Sequence, residues 1–537
     1  MNRRKAWITG FSVVLAMSGA IQSLRAQNSN PDDPLLDLFI KKGFVTQDEA
    51  AKVEAEAQAM RTNEMQMPPV PLSKWKISDG IKSVELFGDV RVRYEDRTAE
   101  DPGGDDLELQ RYRYAVRVGL RGDVSDNFYY GFRLDTSSNP RSPFVTMGTA
   151  SAPSSSSPYY YGPYGKSTAG INVAQVYIGW HPEDWLDITV GKMPNPLYTT
   201  PMVWSMNINP EGVAERLHYT VGQAQFFANF GQFLYQDENP VNASGFLQAS
   251  GLGQDQGNIF QIAWQGGLIY QITPDISAKA GATIYQYFGL QRSSLTSGSS
   301  TSPYYGDTYV GQGAYAGPGS AYPVYGYSGF GSGNGLAGYE SLNYPNNQVG
   351  LDDLLVLEVP FEINFKIEKL DARVFGDVAY NLEGAERARA AAAGYAAYLA
   401  NLPPPGATTG TFAPQTHDDK AYQIGFAVGS KDSLGLVNGT TSGKNDWELR
   451  TYWQHIEQYS LDPNILDTDF FNGVENLQGI YAAFAYGFGK NVIGTIRYGY
   501  ASRINSLLGT GGSSMDIPQV NPINSYSIFQ ADLTLRF

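Results

Sequence analysis

From Val84 onward, apolar and polar residues alternate along the chain. Val84, Leu86, Gly88, Val90, Val92 and Tyr94 form one row, and Glu85, Phe87, Asp89, Arg91, Arg93 and Glu95 form the other. Successive side chains of a strand point to opposite faces, so this spacing predicts an extended segment with one apolar face. The next run sets Tyr112, Tyr114, Val116, Val118 and Leu120 against Arg111, Arg113, Arg117 and Arg121; the last sets Phe529, Ala531, Leu533, Leu535 and Phe537 against Gln530, Asp532, Thr534 and Arg536. Similar runs lie near 127–135, 171–180, 185–192, 215–221, 224–234, 258–270, 276–288, 354–367, 371–382, 420–429, 446–458, 477–488 and 491–502. The pattern therefore predicts about 16 strands.

The links between these runs alternate in length. Short ones fall at 122–127, 181–184, 222–223, 271–275, 368–370 and 489–490, and long ones at 96–106, 136–170, 193–214, 235–257, 289–350, 384–419, 459–475 and 503–525. A membrane barrel has this alternation, with short periplasmic turns and long outer loops. The link 430–445 breaks it, so either that turn is extended or two strands are miscounted there. Aromatic residues gather at strand ends: Trp180, Trp185, Tyr270, Trp447, Phe488 and Phe537 on the short-turn side, and Tyr94, Tyr112, Tyr380 and Tyr500 on the other. Two such girdles mark the two faces of a bilayer.

Upstream of Val84 the pattern differs. Arg3, Arg4 and Lys5 precede an apolar stretch and then Ser23-Leu-Arg-Ala26, which reads as a secretory signal peptide over 1–26. Residues 27–74 contain two helical runs, separated at Gly43 and reopened by Thr46 with Glu49 as a capping box, followed by the Pro-rich linker Met67-Pro-Pro-Val-Pro71. Residues 75–537 are then the barrel.

Composition supports this reading. The 537 residues include 36 Tyr, 26 Phe, 8 Trp and 59 Gly but no Cys, with a formal charge of −15. An acidic chain lacks the basic footprint that nucleic acid requires. The missing cysteines exclude disulfides, thiolate metal sites and a cysteine nucleophile. None of His181, His218, His417 and His455 has a Ser or carboxylate partner at a recognisable spacing, so no catalytic residue, cofactor or metal is expected. Asp467-Thr-Asp469-Phe-Phe-Asn472-Gly473 mimics a calcium loop, but Phe471 stands at a ligand position, and the run reads as a loop turn. Residues 385–400, ahead of Pro403-Pro-Pro405, read as a short helix in an outer loop.

The helical Leu-Leu-Asp and Thr-Gln-Asp-Glu-Ala segments, the Val84-Glu-Leu-Phe-Gly-Asp-Val-Arg-Val-Arg-Tyr94 strand, Gly191-Lys-Met-Pro-Asn-Pro196, Asn209-Pro-Glu-Gly-Val213 and the terminal aromatic together resemble the putative-porin family of Gram-negative outer membranes. The resemblance implies an all-β membrane protein, a closed antiparallel β-barrel of about 16 strands with a short N-terminal helical periplasmic segment. It further implies passive diffusion of small hydrophilic solutes, a homotrimer in outer-membrane lipid, and reading of Phe537 by the outer-membrane assembly machinery. The alternative is a barrel used for surface adhesion or structure. A plugged 22-stranded transporter would need a larger N-terminal plug than the residues before Val84 supply.

Two expectations concern the lumen. Arg91, Arg93, Arg111, Arg113, Arg117, Arg121 and Arg133, with Arg497 and Arg536 on the closing strands, should line one wall, and Glu358, Glu362 and Asp377 the wall opposite. That would set up a transverse field with weak anion preference, unless Glu85, Asp89 and Glu95 pair the arginines into a neutral ladder. The segment 193–214, carrying Pro194, Asn195, Pro196, Trp204 and Glu211, follows the fifth strand, and the resemblance to trimeric porins implies that it folds inward as a constriction loop; its prolines, Pro201 and Pro210 among them, stiffen it without strand pairing.

Overall fold

The computed structural model describes residues 80–100, 104, 106–137, 139–148, 170–236, 259–288, 354–389, 418–440, 443–471, 473–510 and 523–537. The expected signal peptide and the 27–74 helices lie outside these residues. The described chain belongs to the compact unit Gly80–Phe537.

β1 (Glu85–Glu100) runs antiparallel to β2 (Asp106–Asp123), from Glu85 opposite Arg121 to Glu100 opposite Asp106. The third stave of the wall is in two pieces. β3 (Phe128–Asp135) stops opposite Arg117, residues 136–137 and 139–144 leave the wall, and β4 (Val145–Thr146) resumes it beside Arg113 and Tyr114. Each later strand pairs with the next: β5 (Asn172–Glu183), β6 (Leu186–Lys192), β7 (Glu211–Val221), β8 (Ala224–Gln236), β9 (Ile259–Thr273), β10 (Ile276–Phe288), β11 (Leu355–Ile367), β12 (Leu370–Asn381), β13 (Lys420–Ser430), β14 (Trp447–Ile456), β15 (Leu477–Gly489), β16 (Val492–Arg503) and β17 (Ser525–Arg536). β17 returns to β1, from Asp89 opposite Arg536 to Glu100 opposite Ser525. Seventeen strands thus make sixteen antiparallel staves of one closed barrel. Closure leaves no unpaired sheet edge, which a bilayer would not tolerate.

The alternation sorts the side chains as its period requires. Leu86, Tyr112, Ile178, Trp264, Ile480 and Leu533 are exposed on the outside, whereas Asp89, Glu358, Thr283 and Gln530 are buried inside. The girdle residues Trp180, Trp185, Tyr270, Phe488 and Phe537 stand outward at the short-turn end, and Tyr112, Tyr380 and Tyr500 outward at the other. Tight turns set the register: Gly222 between β7 and β8 takes φ +58°, a sign suited to the first position of a primed hairpin turn.

Several boundaries differ from the sequence pattern. β1 runs on to Glu100 and β2 opens at Asp106, so the link expected as a long one over 96–106 is the short stretch 101–105. β7 begins at Glu211 rather than near 215, so the long link before it is 193–210. The anomalous link after β13 is one extended turn, with a 3-10 turn at Leu436–Asn438. No strand pair is missing there, because β13 and β14 are direct neighbours. Of the expected 385–400 helix, residues 384–389 are helical and the rest lies outside the described residues.

Candidate functional site

β1 turns Asp89, Arg91, Arg93, Glu95 and Arg97 into the lumen, and each finds a partner. Asp89 accepts from Arg91 Nε at 2.8 Å and from Arg117 Nη2 at 2.6 Å. Arg93 donates through Nε to Asp532 at 2.7 Å and through Nη1 to Asp469 at 2.8 Å, with its guanidinium 4.1 Å from the centre of the Phe144 ring. Glu95 accepts from Arg97 at 2.9 Å and from Arg111 at 2.7 Å, with Arg113 at 3.8 Å. Arg121 pairs with Glu85, Arg133 with Asp135, and Arg497 with Asp532. The ladder expected from Glu85, Asp89 and Glu95 therefore exists, but it is incomplete. Ten arginines, Arg536 included, share this wall with six carboxylates: Glu85, Asp89, Glu95, Asp135, Asp469 and Asp532. The sequence reading left out Arg97, although it lies two residues beyond Glu95 on the same inward row.

On the far wall, Glu358 and Asp377 face inward, but they are covered rather than open to the lumen. Thr199 Oγ1 donates to Glu358 at 2.6 Å, Tyr285 OH donates to its other oxygen at 2.6 Å, and Thr200 donates to Asp377. Glu362 stands 3.6 Å from Arg373. The covering residues belong to 193–210, which folds into the barrel. Met193, Leu197, Met202, Val203 and Trp204 are buried there, and Trp204 Nε1 caps its own segment at Ile208 O, 3.2 Å away. Asn195 Oδ1 accepts from Leu197 N at 2.9 Å between Pro194 and Pro196, which shapes the inward bend. Tyr198 exchanges two bonds with Gln265 of β9, so the segment is tied to three staves of the far wall. Burial pushes the Tyr198 phenol well above its ordinary range. Glu211, expected in this segment, instead opens β7 and pairs with Lys192 at 2.5 Å.

A second inward segment went unread in the sequence. Residues 457–476, between β14 and β15, bury Leu461, Leu466, Phe470, Phe471 and Val474 inside the barrel. Ile465 O accepts from Ser205 N at 2.7 Å, Pro463 O from Arg141 at 2.8 Å, and Asp462 from Tyr287 at 2.7 Å. This chain crosses from the arginine wall to the 193–210 segment. Asp467 lies 3.4 Å from Ser205 Oγ. Removal from water, then the neighbouring Asp469, push the Asp467 carboxyl up to about 7. Asp469 goes the other way: burial opposes its ionisation, but Arg93 beside it holds the carboxyl well below the usual range. The calcium-like run is thus a junction of loops, and no group of three or more metal-type ligands occurs among the described residues. The signal available in the sequence was Ile465-Leu466 and Phe470-Phe471, too apolar for a solvated loop.

The turn after β13 also folds in. Glu448 accepts from Gly435 N and Val437 N at 2.9 and 2.8 Å, and Val437 O accepts from Arg497 at 3.0 Å. Between β5 and β10 the lumen keeps a cavity of about 550 Å³, lined by Asp187, Arg216, Asn229, Phe227, Lys279 and the underside of the inward segment at Pro196–Thr199.

Residues 103–537 match the family model described as putative porin. No curated protein matches the chain. Among solved structures it is similar to OmpT, an outer membrane protein of Vibrio cholerae, at 11% identity and TM-score 0.36, covering 86% of this chain and 100% of that one. It is similar to an anion-selective porin from Comamonas acidovorans at 10% identity and TM-score 0.38, covering 85% and 99%. The outer membrane channel DcaP of Acinetobacter baumannii gives 10% identity and TM-score 0.36, covering 85% and 97%. Likeness at this level assigns no residue a role. The family match spans most of the barrel just described, and the chain belongs to the putative porin family, a channel-forming barrel of the Gram-negative outer membrane.

Proposed function

We propose that the protein is a passive pore for small hydrophilic solutes, narrowed by residues 193–210 and weakly selective for anions. The observation that carries the reading is the arginine wall: ten guanidiniums face the lumen with six carboxylates among them, so the pairing cancels part of the field and leaves a cationic surplus. Glu358 and Asp377 lie under the inward segment and do not reach the open lumen. Reversal potentials in a salt gradient across a planar bilayer test the proposal. Anion preference that weakens when Arg113 and Arg117 become Ala is expected; a cation-selective pore indifferent to both changes would end it. A purified barrel with no conductance at all would instead favour the adhesion or structural reading.

The finer assignments belong to the same proposal. Residues 1–26 act as a signal peptide, 27–74 as a periplasmic helical segment with a Pro-rich linker, and 75–537 as the barrel, with no enzymatic activity. Phe537, whose backbone exchanges bonds with Gly88 at 2.9 and 3.1 Å while its ring stays exposed, serves the assembly machinery. A homotrimer is supported by the low wall at β6, which has seven residues where a spanning strand uses roughly 9–11. Beside it, Lys192 and Glu211 occupy the outward row. A second copy packed there would shield those polar groups from lipid, and cross-linking in intact outer membranes reads the subunit number.

A further inference from the structure

We infer that the 550 Å³ cavity under Pro196–Thr199 is a binding site for a small organic carboxylate with a flat apolar body. Its volume falls within the range of small-molecule sites, roughly 300–1,000 Å³. The inference deepens the pore reading and rests on it for its biological sense, since the cavity lies beneath the constricting segment on the side of the short turns.

The carboxylate is called for by Lys279. This residue lies on the inward row of β10, in register with Glu362 of β11. Glu362, however, turns to Arg373 at 3.6 Å and to Asn364 at 3.2 Å. Among the described residues no carboxylate lies within ion-pair distance of the Lys279 ammonium. It rests instead over the Tyr198 ring, 3.7 Å from its centre, with the Phe227 ring at 5.7 Å. An ammonium set over aromatic faces retains N–H donors for an anion. The other cavity cation is already engaged, since Arg216 pairs with Asp187, which also accepts from Tyr129 OH at 2.7 Å.

The flat body is called for by the walls around that ammonium. Tyr198 and Phe227 meet edge to face at 6.3 Å, and Ile269 adds an aliphatic side. Asn229 donates through Nδ2 to Gln265 at 2.7 Å. Lys279, with no ion-pair partner among the described residues and set against Tyr198, Phe227 and Ile269, makes this end of the cavity suited to an anion carried on a hydrophobic body, while His181, Asp184, Asp187 and His218 line the remainder.

Titration calorimetry of the full chain in detergent, with benzoate as the probe, tests the site. Binding is expected, at least about tenfold tighter than benzamide, which lacks the charge, or acetate, which lacks the ring. Lys279→Gln should weaken benzoate by about tenfold or more, the scale of one charge-assisted hydrogen bond. Lys279→Arg should restore most of it, and Phe227→Leu should weaken benzoate without affecting acetate. Equal binding of benzoate and benzamide, or an unchanged Lys279→Gln, overturns the inference; if Lys279→Gln does not fold, Lys279→Arg and Phe227→Leu decide it. Conductance in plain potassium chloride, measured on the same preparation, separates the two readings. A conducting pore that ignores benzoate refutes the site alone, and a non-conducting barrel that binds benzoate refutes the pore alone.

Discussion

Arg93 on the first strand and Asp532 on the last meet across the seam where the barrel closes, with Arg93 Nε 2.7 Å and Nη2 2.9 Å from the two carboxylate oxygens. The bond is bidentate and both side chains are almost fully buried. The pair joins residues 439 positions apart, so it reports closure of the whole sheet rather than of one hairpin.

Breaking that pair should cost more than a surface ion pair would. Asp532→Asn leaves the buried guanidiniums of Arg93 and Arg497 short of a charge partner, and removing one member of a buried pair typically costs about 3 kcal/mol or more. Arg93 keeps Asp469, which places the loss near the lower end. The expected outcome is a barrel that unfolds at lower temperature on heat-modifiable gels, whereas Glu85→Gln, which breaks the exposed pair with Arg121, should leave that temperature nearly unchanged.

The 193–210 segment should behave as a latch on the far wall. Thr199→Val together with Thr200→Val removes both hydroxyl bonds to Glu358 and Asp377, so the segment loses two anchors, each worth about 0.5–1.5 kcal/mol as an ordinary hydrogen bond. Single-channel traces should become noisier, with a higher mean current. Deleting Pro201 to Asn209 should raise conductance further, because the buried Met202, Val203 and Trp204 leave the lumen. An unchanged conductance in a properly folded deletion variant counts against the constriction.

What the sequence revealed follows from the range of each interaction. Strand faces depend only on the neighbours two residues away, so Arg91, Arg93, Glu358 and Asp377 all lie on the inward row that their parity predicts. Whether an inward residue meets solvent depends on what lies above it, and nothing near Glu358 or Asp377 in sequence announces Thr199 and Thr200. Proline spacing pointed to 193–214 as an unpaired segment, of which 193–210 stays unpaired. Residues 457–476 carry no such mark, and their inward course is fixed by contacts with Arg93, Arg141 and Tyr287, each more than 150 residues away along the chain. The extended turn after β13 was visible as an anomaly of length, while its docking on Glu448 and Arg497 was not.

The contact between the two inward segments should depend on pH. An aspartate in the unfolded chain titrates near 4, while Asp467 in the folded protein keeps its proton up to about 7. Between those values the folded state binds the extra proton, so stability from this group is fully present below about pH 4 and is lost as pH rises through about 7. Above that, ionised Asp467 faces ionised Asp469 beside Ser205. Current fluctuations should therefore be larger at pH 8 than at pH 5, and Asp467→Asn should flatten the difference. A variant with the parental pH response would show that another group controls it.

Opposite single-charge changes at one rung of the arginine wall should move selectivity in opposite directions. Asp89 binds Arg91 and Arg117 together, so Asp89→Asn frees two guanidiniums and Arg117→Gln removes one of the pair. A unit charge about 5 Å from a passing ion in water contributes roughly 0.8 kcal/mol, of opposite sign for an anion and a cation, or about a sixteenfold change in their relative permeability. Asp89→Asn should raise the anion-to-cation permeability ratio by about that factor, and Arg117→Gln should lower it. Both shifts should shrink at 1 M salt, where screening reaches about 3 Å. Shifts of the same sign in both variants would mean that the changes act through barrel shape, and the wall would then lose its role as the source of selectivity.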